Sequence, residues 1–293
     1  MNILIYKTLA PFANFCRTHQ KLMLLMRYFY EFKKLPHIDK PIRFHEKLFY
    51  LACNTDTSMW SRLADKYLVR DYVKSHCGGG ILNELYGVWD KPEDINFDKL
   101  PDSFVIKTNN GCATVAIVRN KHNYDLSKLR ENLNNWLRLR FGDISGQCHY
   151  SRIQPKIIAE KLLVQDGDPD KMLIDYKISC FNGEPKFISV FSDRTIGTHK
   201  VNEMLYDMDW NPHPEWYDER NPNLSESRLM QCPQCWEEMK DIARKLSSGF
   251  KYCRVDLYVI NDHPIFGELT FTPGLNTYYS SSFSEELGNL IKL

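Results

Sequence analysis

The chain has 293 residues, of which 43% are hydrophobic, and its glycine and proline contents are ordinary. A chain of this length and composition can bury a substantial core in one large or two modest domains, which excludes a disordered protein. Its 38 basic side chains are nearly balanced by 37 acidic ones, so the composition gives no argument for binding nucleic acid.

The first fifty residues are distinctly basic, with nine basic and three acidic side chains and a net charge of +6. Apolar residues recur there at helical spacing, at Leu22, Leu25, Phe29 and Phe32. This spacing predicts a helix that packs the stripe against a core, which is the interpretation we favour. The alternative is a helix that lies on an anionic membrane surface, with its cations over the lipid headgroups.

The location of the protein is predicted from what the sequence lacks. No apolar run reaches the roughly 18–20 residues that a membrane-spanning helix needs. The N-terminus shows no basic start and no small-residue cleavage site before Cys16, which argues against secretion. Nine cysteines, an odd number, suit a reducing compartment. We therefore expect a cytoplasmic protein, with peripheral contact at the inner face of a membrane as a possibility raised by the basic segment.

The first 163 residues divide into a helical and a mixed region. Residues 1–100 have mainly helical periodicity and end in a stretch rich in proline and aspartate. Strand-like runs at 104–107 and 115–118 flank a polar, glycine-containing tip, which predicts a hairpin. A helix at 126–139 and a strand at 156–159 follow, so we expect a domain over 101–163.

The remaining region, 164–293, contains the clearest hairpin. A strand at 175–181 turns at Asn182-Gly183 and returns through 186–191, because Asn-Gly tolerates the positive φ angles of a tight turn. Further on, Trp236, Met239, Ala243 and Leu246 form one helical stripe. With the strands described next, these elements predict an α+β fold.

The last strand pair carries the most distinctive charges. Residues 252–259 alternate strictly, and a turn centred on Asp262 would place Asp256 opposite Glu268 and Arg254 opposite Thr270. Directly opposed like charges destabilise a sheet unless they are neutralised, and a magnesium ion with its preference for carboxylate and phosphate oxygens would do so. Arg254 would then suit a transferred phosphoryl group. An ion pair of Arg254 with Asp256 or Glu268, without metal, explains these residues equally well.

A collinear set of short motifs resembles a known family. The motifs are ADKY (64–67), VRDYV (69–73), LPDSFVIKTNNG (100–111), IIAEKLL (157–163), DYKISCFNG (175–183) and the strand pair ending in FGELTFTPG. Together they resemble the ATP-grasp proteins of the teichuronopeptide-biosynthesis type, from about residue 40 to the C-terminus. The resemblance implies an ATP-grasp fold, in which two β-rich lobes clamp ATP, preceded here by the mainly helical region.

The resemblance also implies roles for individual residues. The phosphates of ATP would be bound by Lys66, Lys107 and the hairpin tip with Asn109, Asn110, Gly111 and Cys112. Glu160, Lys161 and Leu162 would form a hinge whose backbone reads the adenine edge. Asp175 and Lys177 would act with Arg254 in catalysis, and Asp256, Glu268 and Thr270 would be magnesium ligands. Thr270 stands where many members have asparagine, and Cys112-Ala113 replaces the usual Ser-Gly.

By the same resemblance, the protein would be an ADP-forming carboxylate–amine ligase that uses ATP and magnesium. It would join an amino acid or sugar acid to an amine, a nucleotide sugar or a glycan precursor during surface polysaccharide synthesis. Two other classes stay open. A sugar kinase would use the same nucleotide clamp, and a glycan-assembly or glycosyl-transfer partner would keep the fold without catalysis. The sequence does not predict an oligomeric state.

Overall fold

The computed structural model describes residues 10–168, 171–193, 201–221, 228–275 and 277–293. The chain forms two compact units. The first comprises the chain up to Lys33, Asp56–Asp71 and Asn83–Leu162, and the second comprises Lys34–Thr55, Tyr72–Leu82 and Leu163–Leu293. The first hundred residues are thus distributed over both units. The limits 1–100, 101–163 and 164–293 given above stay a prediction.

The described helices are, in chain order, α1 (Ala13–Thr18), α2 (Gln20–Phe32), α3 (Phe44–Asn54), α4 (Ser58–Ala64), α5 (Val69–Cys77), α6 (Leu126–Leu137), α7 (Phe141–Ser145), α8 (Trp236–Ser247) and α9 (Ser281–Leu290). The described strands are β1 (Leu85–Trp89), β2 (Phe104–Thr108), β3 (Val115–Val118), β4 (Ile157–Glu160), β5 (Asp175–Phe181), β6 (Glu184–Ser192), β7 (Asn202–Tyr206), β8 (Tyr252–Ile260) and β9 (His263–Thr270). This mixture of helices and antiparallel sheets confirms the α+β prediction. Within the described ranges, no helix is both long enough and apolar enough to cross a membrane.

The first unit is built around a four-stranded antiparallel sheet in the order β1-β4-β2-β3. Alternation along β2 buries Phe104 and Ile106 and leaves Lys107 on the other face. Helix α6 is capped by Asp125, whose side chain accepts a hydrogen bond from the Lys128 backbone N–H, and it packs Leu133 into the same core. The hairpin predicted at 104–118 and the helix predicted from 126 are confirmed.

Two features of the first unit differ from expectation. Strand β1 lies in the region that was predicted to be mainly helical. The pattern of its five residues does not indicate a strand, and they form one because they pair with β4. Half of the stripe expected to face the core is also exposed, since only Leu25 and Phe32 are partly buried. Leu22 is 41% exposed and Phe29 is 52% exposed, whereas Met23, Leu24 and Tyr28 form the buried side of α2.

The second unit contains a five-stranded antiparallel sheet in the order β7-β6-β5-β8-β9. Strands β5 and β6 join at Asn182-Gly183, both with positive φ, as the Asn-Gly pair predicted. Helix α8 buries its predicted stripe against β5, β6 and β8. Because side chains alternate across a strand, the opposite face of the sheet carries the polar residues of β5 and β8.

Candidate functional site

The β8–β9 hairpin of the second unit positions its charged pairs by two compensating features. The connection is a two-residue turn, with Asn261 and Asp262 at φ of 51° and 61°, and not the longer turn expected around Asp262. The register then shifts between Asp256 and Leu257, where Gly267 is the extra residue of β9. The two differences cancel. Asp256 therefore pairs with Glu268 and Arg254 with Thr270, which confirms the expected pairing.

Gly267 is required at this bulge because the backbone approaches closely. A Cβ atom there would lie 3.0 Å from the Asp256 carbonyl oxygen and 3.3 Å from the Tyr258 ring. Any larger residue would push β9 away from β8. The glycine thus keeps the two carboxylates opposite each other.

The charges on this sheet face are already paired within the second unit. Arg254 donates to both carboxylate oxygens of Asp256 at 2.6 Å, and Lys177 Nζ donates to Asp256 Oδ2 at 3.0 Å. Lys177 also lies 3.4 Å from Asp175. The ion pair between Arg254 and Asp256 that the sequence left open is therefore present, and neutralisation of Asp256 does not require a metal. Two cations neutralise Asp256: Arg254 of the same strand, β8, and Lys177 of the neighbouring strand, β5.

The pKa values on this face follow from that pairing. Burial by itself would raise the pKa of Asp256, but the charges of Arg254 and Lys177 outweigh it and hold the pKa below its usual range. Burial would lower the pKa of Arg254, and the Asp256 carboxylate more than reverses this effect. Both groups are therefore ionised at neutral pH, although Asp256 is only 4% exposed.

The donor set on the hairpin suits magnesium bound together with phosphate. Among the described residues, no group of three or more histidine, cysteine, aspartate or glutamate side chains has the geometry to hold a metal. Magnesium, however, typically takes one or two carboxylates and completes its shell with water and phosphate oxygens. Asp256 and the partly exposed Glu268 provide such a pair. Thr270 Oγ1 lies 3.3 Å from Glu268 Oε1 and 3.1 Å from Arg254 Nη2, so its hydroxyl bridges these side chains.

In the first unit, the tip of the β2–β3 hairpin is anchored by its asparagines. Asn109 accepts a hydrogen bond from the Lys156 backbone N–H at 2.7 Å and donates to Asp65 Oδ2 at 2.9 Å. Asn110 donates to the Leu139 carbonyl oxygen at 3.2 Å. Both side chains are buried and hold the loop in place. Binding of phosphate by this tip would consequently fall to its backbone N–H groups.

The rest of the tip is held by a lysine and by close packing. Lys66 Nζ donates to the Gly111 carbonyl oxygen at 2.6 Å, which places its ammonium group beside the tip. A Cβ atom on Gly111 would lie 3.2 Å from Phe141, tighter than most real contacts. Cys112 is exposed, and Ala113 takes a left-handed φ of 60°. Lys66 and the tip are therefore together, as a phosphate-binding role requires.

Lys107 belongs to a buried ion cluster centred on Glu160. Glu160 Oε2 lies 2.7 Å from Lys107 Nζ, and Oε1 accepts from Arg70 Nη1 at 3.0 Å. Arg70 donates in addition to the Asn83 carbonyl oxygen at 2.6 Å. Because lysine is a flexible point charge, this carboxylate decides where the Lys107 ammonium group lies. The sequence analysis placed Glu160 at an adenine hinge and did not include Arg70.

The backbone N–H and carbonyl groups of the residue after Glu160 form hydrogen bonds within the same unit. The Lys161 N–H donates to the Glu84 carbonyl oxygen at 2.9 Å, and the Lys161 carbonyl oxygen accepts from Asn83 Nδ2 at 2.9 Å. Both backbone groups of Lys161 thus continue the pairing of β4 with the chain before β1.

Asp65 is a second residue that the sequence analysis missed. One carboxylate oxygen accepts from the Tyr67 and Leu68 N–H groups at 2.8 and 3.2 Å, and the other accepts from Asn109. Asp65 therefore ties the segment that carries Lys66 to the hairpin tip. The available signal was an aspartate in the short connection between α4 and α5, where short acidic side chains accept hydrogen bonds from backbone N–H groups two or three residues further on.

The sequence pattern that defines the TupA-like ATPgrasp family matches residues 46–292. The chain belongs to the TupA-like ATP-grasp family. This match confirms the family and the ATP-grasp fold expected from the motifs. A search among curated proteins found no match.

Solved structures similar to this TupA-like ATP-grasp chain include three ligases. D-alanine--D-alanine ligase from Bacillus anthracis, complexed with ATP, is 18% identical, with a TM-score of 0.49 over 78% of this chain and 65% of that one. The ATP-grasp ligase PsnB, solved with a phosphomimetic precursor variant, Mg and ADP, is 12% identical, with a TM-score of 0.46 over 84% and 66%. L-amino acid ligase from Bacillus licheniformis is 13% identical, with a TM-score of 0.45 over 78% and 49%. The chain thus spans less than two thirds of the length of these ligases.

One buried histidine of this TupA-like ATP-grasp chain should make the stability of the folded state depend on pH. His149 is 1% exposed, and neither ring nitrogen has a hydrogen-bond partner. Burial, with a smaller contribution from Arg152, lowers its pKa from 6.5 to about 3. The folded chain therefore keeps the ring neutral while the unfolded chain protonates it below about pH 6.5. The contribution to stability is complete above that pH and is lost progressively as the pH falls.

At pH 5 this loss should amount to about 2 kcal/mol of unfolding free energy, since each pH unit below the unfolded pKa costs about 1.4 kcal/mol. The measurement compares urea unfolding at pH 7.5 and pH 5 in the natural chain and in His149→Met. The variant should lose about 2 kcal/mol less between these two values. An identical loss in both proteins would show that His149 does not titrate in this way.

Proposed function

We propose that the chain is an ADP-forming carboxylate–amine ligase that uses ATP and magnesium in the cytoplasm. Its family and the convergence of Arg254, Lys177 and Asp256 on one sheet face support this proposal. The convergence carries most weight, because phosphoryl transfer depends on positioning and charge neutralisation rather than on a protein nucleophile. In the first unit, Lys66 and Lys107 supply cations for the phosphates.

In the proposed reaction, a carboxylate oxygen of the substrate attacks the γ-phosphorus of ATP, and ADP leaves with the electron pair of the broken P–O bond. The product is an acyl phosphate. An amine then attacks the acyl carbon, and inorganic phosphate leaves as the amide forms and the amine loses a proton. Magnesium, held by Asp256 and Glu268 with Thr270 beside them, would neutralise phosphate charge when bound.

The remaining steps rest on residues of this chain. Arg254 presents a planar guanidinium that suits the oxygens of a phosphoryl group, and Asp256 fixes its orientation through two hydrogen bonds. Lys177 adds a second positive charge to the same face, and Asp175 holds its ammonium group from the other side. In the first unit, Glu160 and Arg70 keep Lys107 extended from β2.

The substrate proposal is an amino acid or sugar acid joined to an amine, a nucleotide sugar or another glycan precursor in surface polysaccharide biosynthesis, as the family resemblance implied. A kinase acting on a sugar hydroxyl would use the same residues for the first transfer. The two differ in their product, since an acyl phosphate reacts with hydroxylamine to give a hydroxamate and a sugar phosphate does not.

The test of nucleotide binding is thermal unfolding with a non-hydrolysable ATP analogue, with and without magnesium. A ligand at about 100 times its dissociation constant should stabilise the natural chain by about 2.7 kcal/mol. Magnesium should increase this stabilisation in the natural chain, and the increase should be absent from Asp256→Asn and reduced in Glu268→Gln.

The control is Glu131→Gln, which removes an exposed carboxylate that pairs only along helix α6. It should respond to nucleotide and magnesium as the natural chain does. Each variant is compared with itself without ligand, so that a change in intrinsic stability does not enter the result. No stabilisation of the natural chain by nucleotide would contradict the proposal and favour the non-catalytic class.

A further inference from the structure

The outer face of helix α2 is apolar and exposed. This face consists of Leu22, Met26 and Phe29, at spacing i, i+4 and i+7, and these side chains are 41%, 52% and 52% exposed. Tyr30 at its edge is 58% exposed. A helix that is apolar on all sides is normally buried, so this face is unusual for a helix at the surface of a compact unit.

The helix is held so that its outer face cannot turn inward. On the inner side, Gln20 Nε2 donates to the Asp143 carbonyl oxygen at 2.9 Å, and Arg27 Nη1 donates to the Ser145 carbonyl oxygen at 3.3 Å. Leu24 lies against Gly146, where an added Cβ atom would come within 2.9 Å of Leu24 Cγ. These contacts dock α2 on the segment around α7 and leave the outer face directed away from it.

The charges around the outer face have one sign. Residues 10–33 contain four basic side chains and one acidic side chain. Arg17, Lys21 and Lys33 are exposed, and Lys33 lies eleven positions after Leu22, on the same side of the helix. Glu31, the acidic residue, is nine positions after Leu22, roughly 180° around the helix from it. The outer face is thus apolar with a cationic border.

Further apolar side chains precede the helix in the same unit. Phe12 is 61% exposed and Phe15 is 51% exposed. At the other end, Lys33 Nζ donates to the Tyr30 carbonyl oxygen at 2.6 Å and lies over the Tyr30 ring. Tyrosine is itself typical of a membrane interface, because its apolar ring and polar hydroxyl suit a place where one side is apolar and the other is wet.

We propose that the outer face of α2 docks the protein on an anionic lipid bilayer. The helix lies in the plane of the interface, with Leu22, Met26 and Phe29 at the boundary of the acyl chains and Lys21 and Lys33 over the headgroups. Thirteen residues are too few to span a bilayer, so the contact is peripheral. This role belongs to the exposed face alone, since the opposite side of the helix packs on the first unit, and it does not depend on the proposed ligase activity.

The test is co-sedimentation of the full chain with phosphatidylcholine vesicles that contain no anionic lipid or about 30% phosphatidylglycerol. The natural chain should bind the anionic vesicles at least tenfold more tightly than the neutral ones, and binding should weaken as salt is raised. The double variant Met26→Ser and Phe29→Ser should bind at least tenfold more weakly, because the apolar contact is lost. Lys21→Glu should weaken binding to anionic vesicles about tenfold or more.

Matched controls remove an exposed apolar group and an exposed cation of the second unit, with Leu229→Ser and Lys186→Glu. Both should bind as the natural chain does. An exposed apolar face can also be covered by a second copy of the chain. Light scattering without lipid measures the molar mass in solution and would detect such a dimer. Absence of vesicle binding, equal binding to neutral vesicles, or a dimer that dissociates on Met26→Ser and Phe29→Ser would each overturn the proposal.

Discussion

Replacement of Arg254 by methionine is expected to lower the unfolding free energy of the chain by about 4 kcal/mol, since it leaves a buried carboxylate without its main partner. The guanidinium makes both of its shortest contacts to Asp256, whose side chain is 5% exposed. Lys177 alone then faces Asp256 at 3.0 Å. Urea unfolding at neutral pH measures the loss.

The pairing of Arg254 with Asp256 predicts a second property of this variant. The double variant Arg254→Met and Asp256→Asn should be more stable than Arg254→Met alone, because removal of both charges removes the desolvation cost of the unpaired one. The deficit of Arg254→Met should also shrink as the pH falls, since the carboxylate of Asp256 loses the charge that lowers its pKa. A double variant less stable than the single one would contradict a dominant Arg254–Asp256 pair.

Glu160→Gln is expected to lower the unfolding free energy by about 3 kcal/mol and to weaken nucleotide binding at the same time. The loss of stability arises because Arg70 and Lys107, which are 17% and 21% exposed, lose the carboxylate they share. Nucleotide binding weakens because Lys107 is no longer held along β2. Unfolding in urea and titration with the ATP analogue measure the two effects.

The control for this variant is Glu84→Gln. Glu84 is exposed, and it binds Lys161 through its backbone carbonyl oxygen, which the substitution leaves in place. It should leave both quantities within about 0.5 kcal/mol of the natural chain. A Glu160→Gln variant that loses nucleotide affinity without losing stability would instead indicate that the Glu160 side chain contacts the nucleotide directly and does not act through Lys107.

The strand periodicity and one turn pair predicted much of the second unit. The hairpin over residues 175–191 was predicted correctly because the pair Asn182-Gly183 is typical of a tight turn between two strands. Asp175 and Lys177 lie on one face because side chains alternate along a strand. The pairing of Asp256 with Glu268 was also predicted correctly, although through a turn that the structure lacks. The bulge at Gly267 supplied the missing shift, and a single glycine in a strand gives only a weak sign of it.

The parts that could not be predicted depend on partners distant in sequence. Lys177 reaches Asp256 across 79 positions, and Arg70 reaches Glu160 across 90, so no local pattern contains either pair. Helix α2 has apolar residues on both sides, and only its docking on the segment around α7 decides which side is buried. Strand β1 needs β4 in the same way.

The turn at Asn261-Asp262 is separated from the carboxylate pair by four residue pairs and the bulge. Both turn residues are exposed. A longer connection would leave the pairing of Asp256 with Glu268 in place, because these four residue pairs hold the register of the two strands. A short epitope or a spectroscopic label inserted between Asn261 and Asp262 would accordingly provide a reporter for the second unit, while the hairpin keeps its registered charges.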